Sequence, residues 1–360
     1  MVVDRIQKRL DGAAAIVGPG ANLRYLTGFP GERDRALAVV LTENDCVAIT
    51  AAGYERQVSR ETALETIRTV ATNDPSAVGE QARTLLRRRP PETVYVDEEL
   101  TMGVGRPIAE GSWTLADGRE LFEPLRRVKT PDERAALRAA AAVTDEVRAA
   151  IRGLGGEAIG QTEAELARRI HSMLVDRGGE GPAFPIVVAS GPRGAEPMTH
   201  RHGDRRIRSG EPVVLDFGTV VDGYASDQTS TVVFDGEPPA AFPPAFDAVE
   251  AALDAGIAAV EPGLDAATLD GIVRDELDDR GYGAAFTTGT GHGIGLRAHE
   301  PPAIGPDADT VLAPGMAITI EPGVYLADRF GVRLETVVIV TENGGEAIND
   351  VPRGWSPVTN

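Results

Sequence analysis

Asp216, Asp227, His292, Glu321 and Glu335 each stand at or near the end of an apolar run, and all five carry side chains that hold hard divalent cations. Asp216 follows Val213-Val214-Leu215, and Asp227 comes soon after it. The two suit facing arms of one hairpin that turns at Asp222-Gly223. Carboxylates held that close repel each other unless something positive lies between them. His292 sits inside Gly289-Thr290-Gly291-His292-Gly293-Ile294-Gly295, where glycines on both sides let the backbone approach closely and admit the imidazole to a crowded site. Glu321 follows Met316-Ala317-Ile318-Thr319-Ile320 and precedes Pro322-Gly323, while Glu335 opens a further apolar run after Arg333-Leu334.

Four carboxylates and one imidazole make an oxygen-rich set. It favours Mn²⁺, Fe²⁺ or Co²⁺ over a structural zinc, which prefers sulfur and nitrogen. It also has enough carboxylates for two ions, with two of the side chains bridging. Taken singly, an Asp at a strand end forms turns and a Glu at a strand start is solvated. The joint occurrence carries the weight.

The elements that must position these residues are legible in part. Leu37 to Leu41, Cys46 to Thr50 and Val94 to Asp97 read as short strands, alternating with a helix around Ala77 to Arg88. Residues 1–128 therefore form a smaller α/β domain. A helix start follows, with Thr130 as N-cap, Pro131 at the first helical position and Glu133 completing a capping box. Leu137, Ala140, Val143, Val147 and Ile151 continue at helical spacing until Gly153 stops the run. A second capped helix begins at Thr162, with Glu165 as box partner and Leu166, Ile170 and Leu174 as its apolar stripe. This second domain, 129–360, then alternates strands (213–218, 231–234, 316–320, 335–340) with two helices ending near Val260 and Arg280.

Composition narrows the function classes. A hydrophobic fraction of 42% and a charged fraction of 25% are those of a globular protein. The net charge of −19 repels nucleic acid and anionic membranes, and it suits a surface kept hydrated in a salt-rich, halophilic cytoplasm. The basic residues are almost all Arg, with Lys8 and Lys129 the only lysines. Cys46 is the only cysteine, so an internal disulfide and a thiolate cluster are excluded. The first residues carry charge and no apolar h-region, which points to a cytoplasmic protein.

In order and in local wording, the segments Leu215-Asp216-Phe217-Gly218, Ser226-Asp227-Gln228-Thr229, Gly291-His292-Gly293-Ile294-Gly295-Leu296, His299-Glu300, Glu321-Pro322-Gly323-Val324-Tyr325 and Val332-Arg333-Leu334-Glu335 resemble the pita-bread metallopeptidases. That family includes methionine aminopeptidases, Xaa-Pro aminopeptidases, prolidases and creatinase-like enzymes. Asn22-Leu23-Arg24-Tyr25-Leu26-Thr27-Gly28-Phe29 is similar to the N-terminal domain of the creatinase and prolidase branch, which methionine aminopeptidases usually lack.

The resemblance implies an α+β pita-bread catalytic domain behind a creatinase-type α/β domain. It makes Asp216 the terminal carboxylate on one of two divalent ions, Asp227 and Glu335 the bridges, and His292 with Glu321 the ligands of the other ion. Mn²⁺ comes first, with Co²⁺, Fe²⁺ or Zn²⁺ as alternatives. The implied reaction is hydrolysis of an Xaa-Pro peptide bond by a metal-bridging hydroxide. His299 would contact the substrate and support the tetrahedral intermediate, Glu321 would pass a proton to the leaving amine, and Arg333 would orient Glu335. His200 is the expected upstream substrate histidine, with His202 as its rival, and His171 reads as an ordinary helix residue. The implied partners are a small peptide with proline in second position and a second copy of the chain, the N-terminal domain capping the neighbour's active site in a homodimer.

Three departures bear on substrate. Ser230 stands where the family often has Arg, Thr336 where an acid or amide often follows the bridging Glu, and Ala303 where some prolidases carry an Arg for a dipeptide's carboxylate. The alternatives are a metal-dependent C–N hydrolase of a small metabolite or osmolyte, and an inactive binding module on the same fold. An inactive module would have no need of the five ligands, and a cluster of like charges without metal is a stability cost.

Overall fold

In the computed structural model, which describes residues 2–29, 31, 35–197, 202–350 and 352–356, the chain divides into two units, 1–126 and 127–360. Among the described residues no helix is long and apolar enough to cross a membrane.

The smaller unit is built on a six-stranded mixed sheet. Its strands run in the order Thr66–Val70, Cys46–Ala51, Leu37–Leu41, Ala14–Val17, Thr93–Val96, Thr114–Asp117. Ile16, Val40, Ile49 and Val94 bury against Val78, Ala82 and Leu86 of helix Pro75–Leu86, and against Val104 and Ile108 of helix Met102–Ala109. Alternating strands and helices thus give the expected α/β layer.

The larger unit opens on helix Pro131–Arg152. Thr130 Oγ1 accepts from Glu133 N and Glu133 Oε2 accepts from Thr130 N, so both halves of the capping box are present. Helix Glu163–Asp176 carries the same device at Thr162 and Glu165. Gly153 ends the first helix but stays in the right-handed region, and the left-handed reversal falls on Gly155, at φ 49°. The chain direction therefore changes two residues later than the glycine stop at 153 suggests.

Two antiparallel sheets follow. Thr229–Val232, Val213–Asp216 and Val187–Ser190 form one. Glu300–Ile304, Gly291–Gly293, Ala317–Ile320, Thr336–Thr341 and Gly344–Ala347 form the other. Gly323–Leu326 and Phe330–Arg333 add a separate hairpin. Helices Phe242–Ala259 and Ala266–Asp279 bury Phe246, Val249, Leu253, Leu269 and Val273 in a core with Ile318, Ile320, Val338 and Val340. That core stiffens the strands that carry Glu321 and Glu335 at their ends.

Candidate metal centre

Asp216 ends its strand and pairs in register with Thr229. Asp227 precedes Thr229 by two residues, so its side chain leaves on the same face, diagonally across from Asp216. The hairpin between them turns on Asp222 and Gly223, at φ 49° and 82°, the pair of positive values that a tight two-residue turn needs. Helix Pro131–Arg152 holds this hairpin at three points. Tyr224 OH donates to Glu133 Oε1 at 2.6 Å, the Thr144 and Ser226 hydroxyls lie 2.5 Å apart, and Gln228 Nε2 donates to Asp145 Oδ1 at 2.8 Å.

His292 is the middle residue of strand Gly291–Gly293, and the flanking glycines are steric necessities. A Cβ on Gly291 would stand 2.1 Å from Thr319 O, and one on Gly293 would stand 2.3 Å from Pro301 O. Glu321 directly follows strand Ala317–Ile320, and its N–H donates to Thr290 O at 2.8 Å. Glu335 directly precedes Thr336–Thr341, and its N–H donates to Thr229 O at 3.0 Å. Each acidic side chain therefore leaves from a point where the backbone is already fixed.

These elements bring all five residues together, with His299 beside them. The ligand atoms of Asp216, Asp227 and Glu335 lie within 4.8 Å of one another, as do those of His292, Glu321 and Glu335, and those of Asp227, His292 and His299. Asp227, His292 and Glu335 each belong to two of these groups. His299 is exposed, its ring 4.1 Å from that of His292. His200 lies outside the described residues. His202 Nδ1 bonds Ile186 O at 3.1 Å and belongs to none of the three groups, and His171 is exposed on helix Glu163–Asp176.

The electrostatics are those of a centre built for positive charge. Burial raises Asp227 well above the usual carboxylate range, and the charges of Glu335 and Asp216 add to it. Burial likewise raises Glu335 well above that range, with Glu321 and Asp216 contributing. Asp216 is raised by burial, against the pull of Arg333. Burial opposes ionisation of Glu321 too, yet its hydrogen bond to His292 and the His292 charge hold it below the usual range. Burial disfavours the His292 cation, but Glu321 outweighs it and the imidazole is raised overall.

The donor set fits divalent cations. Asp216 Oδ1 and Glu335 Oε1 are buried with no hydrogen-bond partner, which is costly unless something satisfies them. His292 Nδ1 lies 3.1 Å from Gly293 O. A carbonyl only accepts, so that nitrogen carries a proton, and Nε2, 3.3 Å from Glu321 Oε1, is the nitrogen that would exchange its own proton for a cation.

Arg333 reaches Glu335 through Thr229, as a residue that orients Glu335 at second hand would, and also contacts Asp216 directly. Its Nη2 donates to Asp216 Oδ2 at 2.5 Å and its Nη1 to Tyr325 OH at 3.3 Å, while its link to Glu335 runs through Thr229. Thr229 Oγ1 accepts from Arg333 Nε at 3.1 Å and donates to Glu335 Oε2 at 2.6 Å. Thr229 has no assigned role in the sequence reading, though its place two residues after Asp227 puts it on the same strand face. Thr229→Val should weaken metal binding roughly 10- to 100-fold while the fold persists. Calorimetric titration with Mn²⁺ checks this, and an unchanged affinity would reduce Thr229 to a packing residue.

The three departures are placed as follows. The Ser230 hydroxyl is buried and unpartnered, and Thr336 Oγ1 donates to Asn349 Oδ1 at 3.1 Å. Ala303 is exposed and pairs directly opposite His292.

Comparison with known proteins agrees along the whole chain. A curated relative, the probable dipeptidase PepE of Mycobacterium bovis, is 35% identical over 348 residues, 94% of this chain and 90% of its own length. Among solved structures, a prolidase from Thermococcus sibiricus superposes with a TM-score of 0.90 at 32% identity, covering 98% of this chain and 97% of that one. An Xaa-Pro dipeptidase from Bacillus anthracis gives 0.89 at 29% identity, covering 99% and 98%. The pita-bread catalytic unit behind a smaller creatinase-type α/β unit is thus the observed fold. The model of the creatinase/prolidase N-terminal domain matches residues 3–128 and that of metallopeptidase family M24 matches residues 133–342, more than half of the sequence, so the chain belongs to metallopeptidase family M24.

Proposed function

We propose that this protein is a two-metal Xaa-Pro peptidase, with residues 129–360 as the catalytic domain. The observation that carries the reading is the cluster of Asp216, Asp227, His292, Glu321 and Glu335, two of whose buried carboxylate oxygens lack any partner. Relatives named as prolidase and Xaa-Pro dipeptidase supply the substrate class.

Asp216, Asp227 and Glu335 would hold one ion, and His292, Glu321 and Glu335 the other, with Asp227 also within reach of His292. Divalent ions bound there supply a water-derived nucleophile at neutral pH and polarise the scissile carbonyl. The chain's residues do the rest. Arg333 and Thr229 fix the outer oxygens of Asp216 and Glu335, so that the inner ones face the centre. Glu321, held ionised beside His292 and partly accessible, is placed to take a proton and return it to the departing proline nitrogen. His299, on the exposed side of the cluster, donates to the substrate oxygen as negative charge gathers on it.

Substrate length is where two readings part. The names of the relatives favour a dipeptide. Ala303 favours a longer peptide, because a methyl group opposite His292 offers no charge to a C-terminal carboxylate. The deciding test is Mn²⁺-loaded protein with Ala-Pro and Ala-Pro-Ala, at high and low salt, with released alanine measured. Cleavage of the tripeptide makes it an Xaa-Pro aminopeptidase, and cleavage of the dipeptide alone makes it an Xaa-Pro dipeptidase. If neither is cleaved the proposal fails, and a C–N hydrolase of a small metabolite takes its place.

A further inference from the structure

Of the two lysines in the sequence, Lys129 is only 2% exposed. Its Nζ donates to Glu300 Oε1 at 3.0 Å and to Arg127 O at 3.4 Å, and the Glu300 side chain is buried as well. Two charges withdrawn from water rarely repay their desolvation as stability alone, so a buried pair invites a question about what it specifies.

Both ends of the pair are tied to strands of the candidate metal centre. Lys129 N donates to Gly315 O at 2.8 Å and Val128 bridges to Met316, immediately before the strand that Glu321 directly follows. Glu300 pairs in register with Gly293, the neighbour of His292. Between these anchors, residues 294–299 fold back around the Glu300 carboxylate. A Cβ on Gly295 would stand 2.3 Å from Glu300 Oε1, Gly295 N donates to Arg297 O at 3.0 Å, and Ile294 and Ala298 are buried. The loop closes on the carboxylate, and Lys129 sets a positive charge against it. His299 immediately precedes that carboxylate and is exposed beside His292.

We propose that Lys129 is a positioning residue for His299, setting the imidazole through the ion pair that locks Glu300 inside the 294–299 loop. This rests on the reading of His299 as the group that meets substrate. A compact ammonium on a flexible stem suits the enclosed space, where the wide planar fork of an arginine would not.

Lys129→Met alone strands a buried carboxylate, so the informative protein is Lys129→Met combined with Glu300→Gln, which leaves no charge behind. With whichever of Ala-Pro and Ala-Pro-Ala the enzyme cleaves, kcat should fall roughly 10- to 100-fold, as for a misplaced catalytic group. Bound Mn²⁺ and melting temperature should stay near those of the unsubstituted protein. In a His299→Ala background the same pair of changes should cost less than about twofold, because nothing remains to be positioned. Full activity of the doubly changed protein, loss of its metal, or a full additional loss in the His299→Ala background each overturns the proposal. Full activity of His299→Ala by itself overturns the reading of His299, and the role of Lys129 falls with it.

Discussion

Glu335→Gln should lower kcat/KM by about three orders of magnitude or more, since a divalent centre contributes several kcal/mol at about 1.4 kcal/mol per tenfold. The same change should make the metal-free protein melt higher than the unsubstituted apoprotein near pH 8. The opposite signs follow from one fact, that the buried carboxylates are arranged for a cation and repel one another without it. Burial and the neighbouring Glu321 and Asp216 push Glu335 well above its ordinary value. Below about pH 4.3 the carboxyl is protonated in both folded and unfolded chains. As pH rises from there the unfolded chain gives up its proton freely while the folded chain retains it, so stability falls until the raised value is passed. A glutamine keeps the shape and can still accept from Thr229, but it does not titrate. The gain should appear as about 2–4 °C in melting temperature per kcal/mol relieved, and it should shrink towards pH 4. Scanning calorimetry on chelator-treated proteins at several pH values decides it. A Glu335→Gln apoprotein no more stable than the unsubstituted one near pH 8 would mean that the carboxylates are reconciled without metal.

His299→Ala should reduce kcat by about 10²- to 10³-fold, the usual loss when one donor to a developing oxyanion is removed. Bound metal should be unchanged. The second half matters because His299 lies within ligand distance of Asp227 and His292, so the geometry alone would also suit a role as a metal ligand. Metal analysis of the variant separates the two roles. Intact stoichiometry with lost turnover makes His299 a substrate contact, whereas a lost ion makes it a ligand.

What could be read from the sequence was whatever is encoded locally. Both capping boxes carry their signal within four residues, and Thr130 with Glu133 and Thr162 with Glu165 form as expected. The Asp222-Gly223 turn is equally local. Asp216, Glu321 and Glu335 stand against apolar runs and His292 stands among glycines, and it is their resemblance to the pita-bread metallopeptidases that makes the five one ligand set. Partnerships across the chain were less accessible. Arg333 lies close to Glu335 in sequence, which suggests that it serves Glu335, and strand pairing also turns its guanidinium to Asp216. Thr229 acquires its importance from the register that sets it opposite Asp216 and near Glu335, a relation no short window contains. The glycine-rich segment around His292 reads as a loop because glycine is rare in strands. It is a strand because its neighbours press so close that nothing larger fits.

The scarcity of lysine has a practical side. Lys8 is exposed in the smaller unit, whereas Lys129 is sealed in its ion pair, and no other lysine exists. To an amine-reactive dye or resin the folded protein therefore presents one side-chain handle. That handle lies outside the segment from 216 to 335 that supplies the carboxylates and imidazoles of the cluster, so, with any free α-amino group blocked, conjugation can mark or tether the molecule at a single lysine while leaving those groups chemically intact.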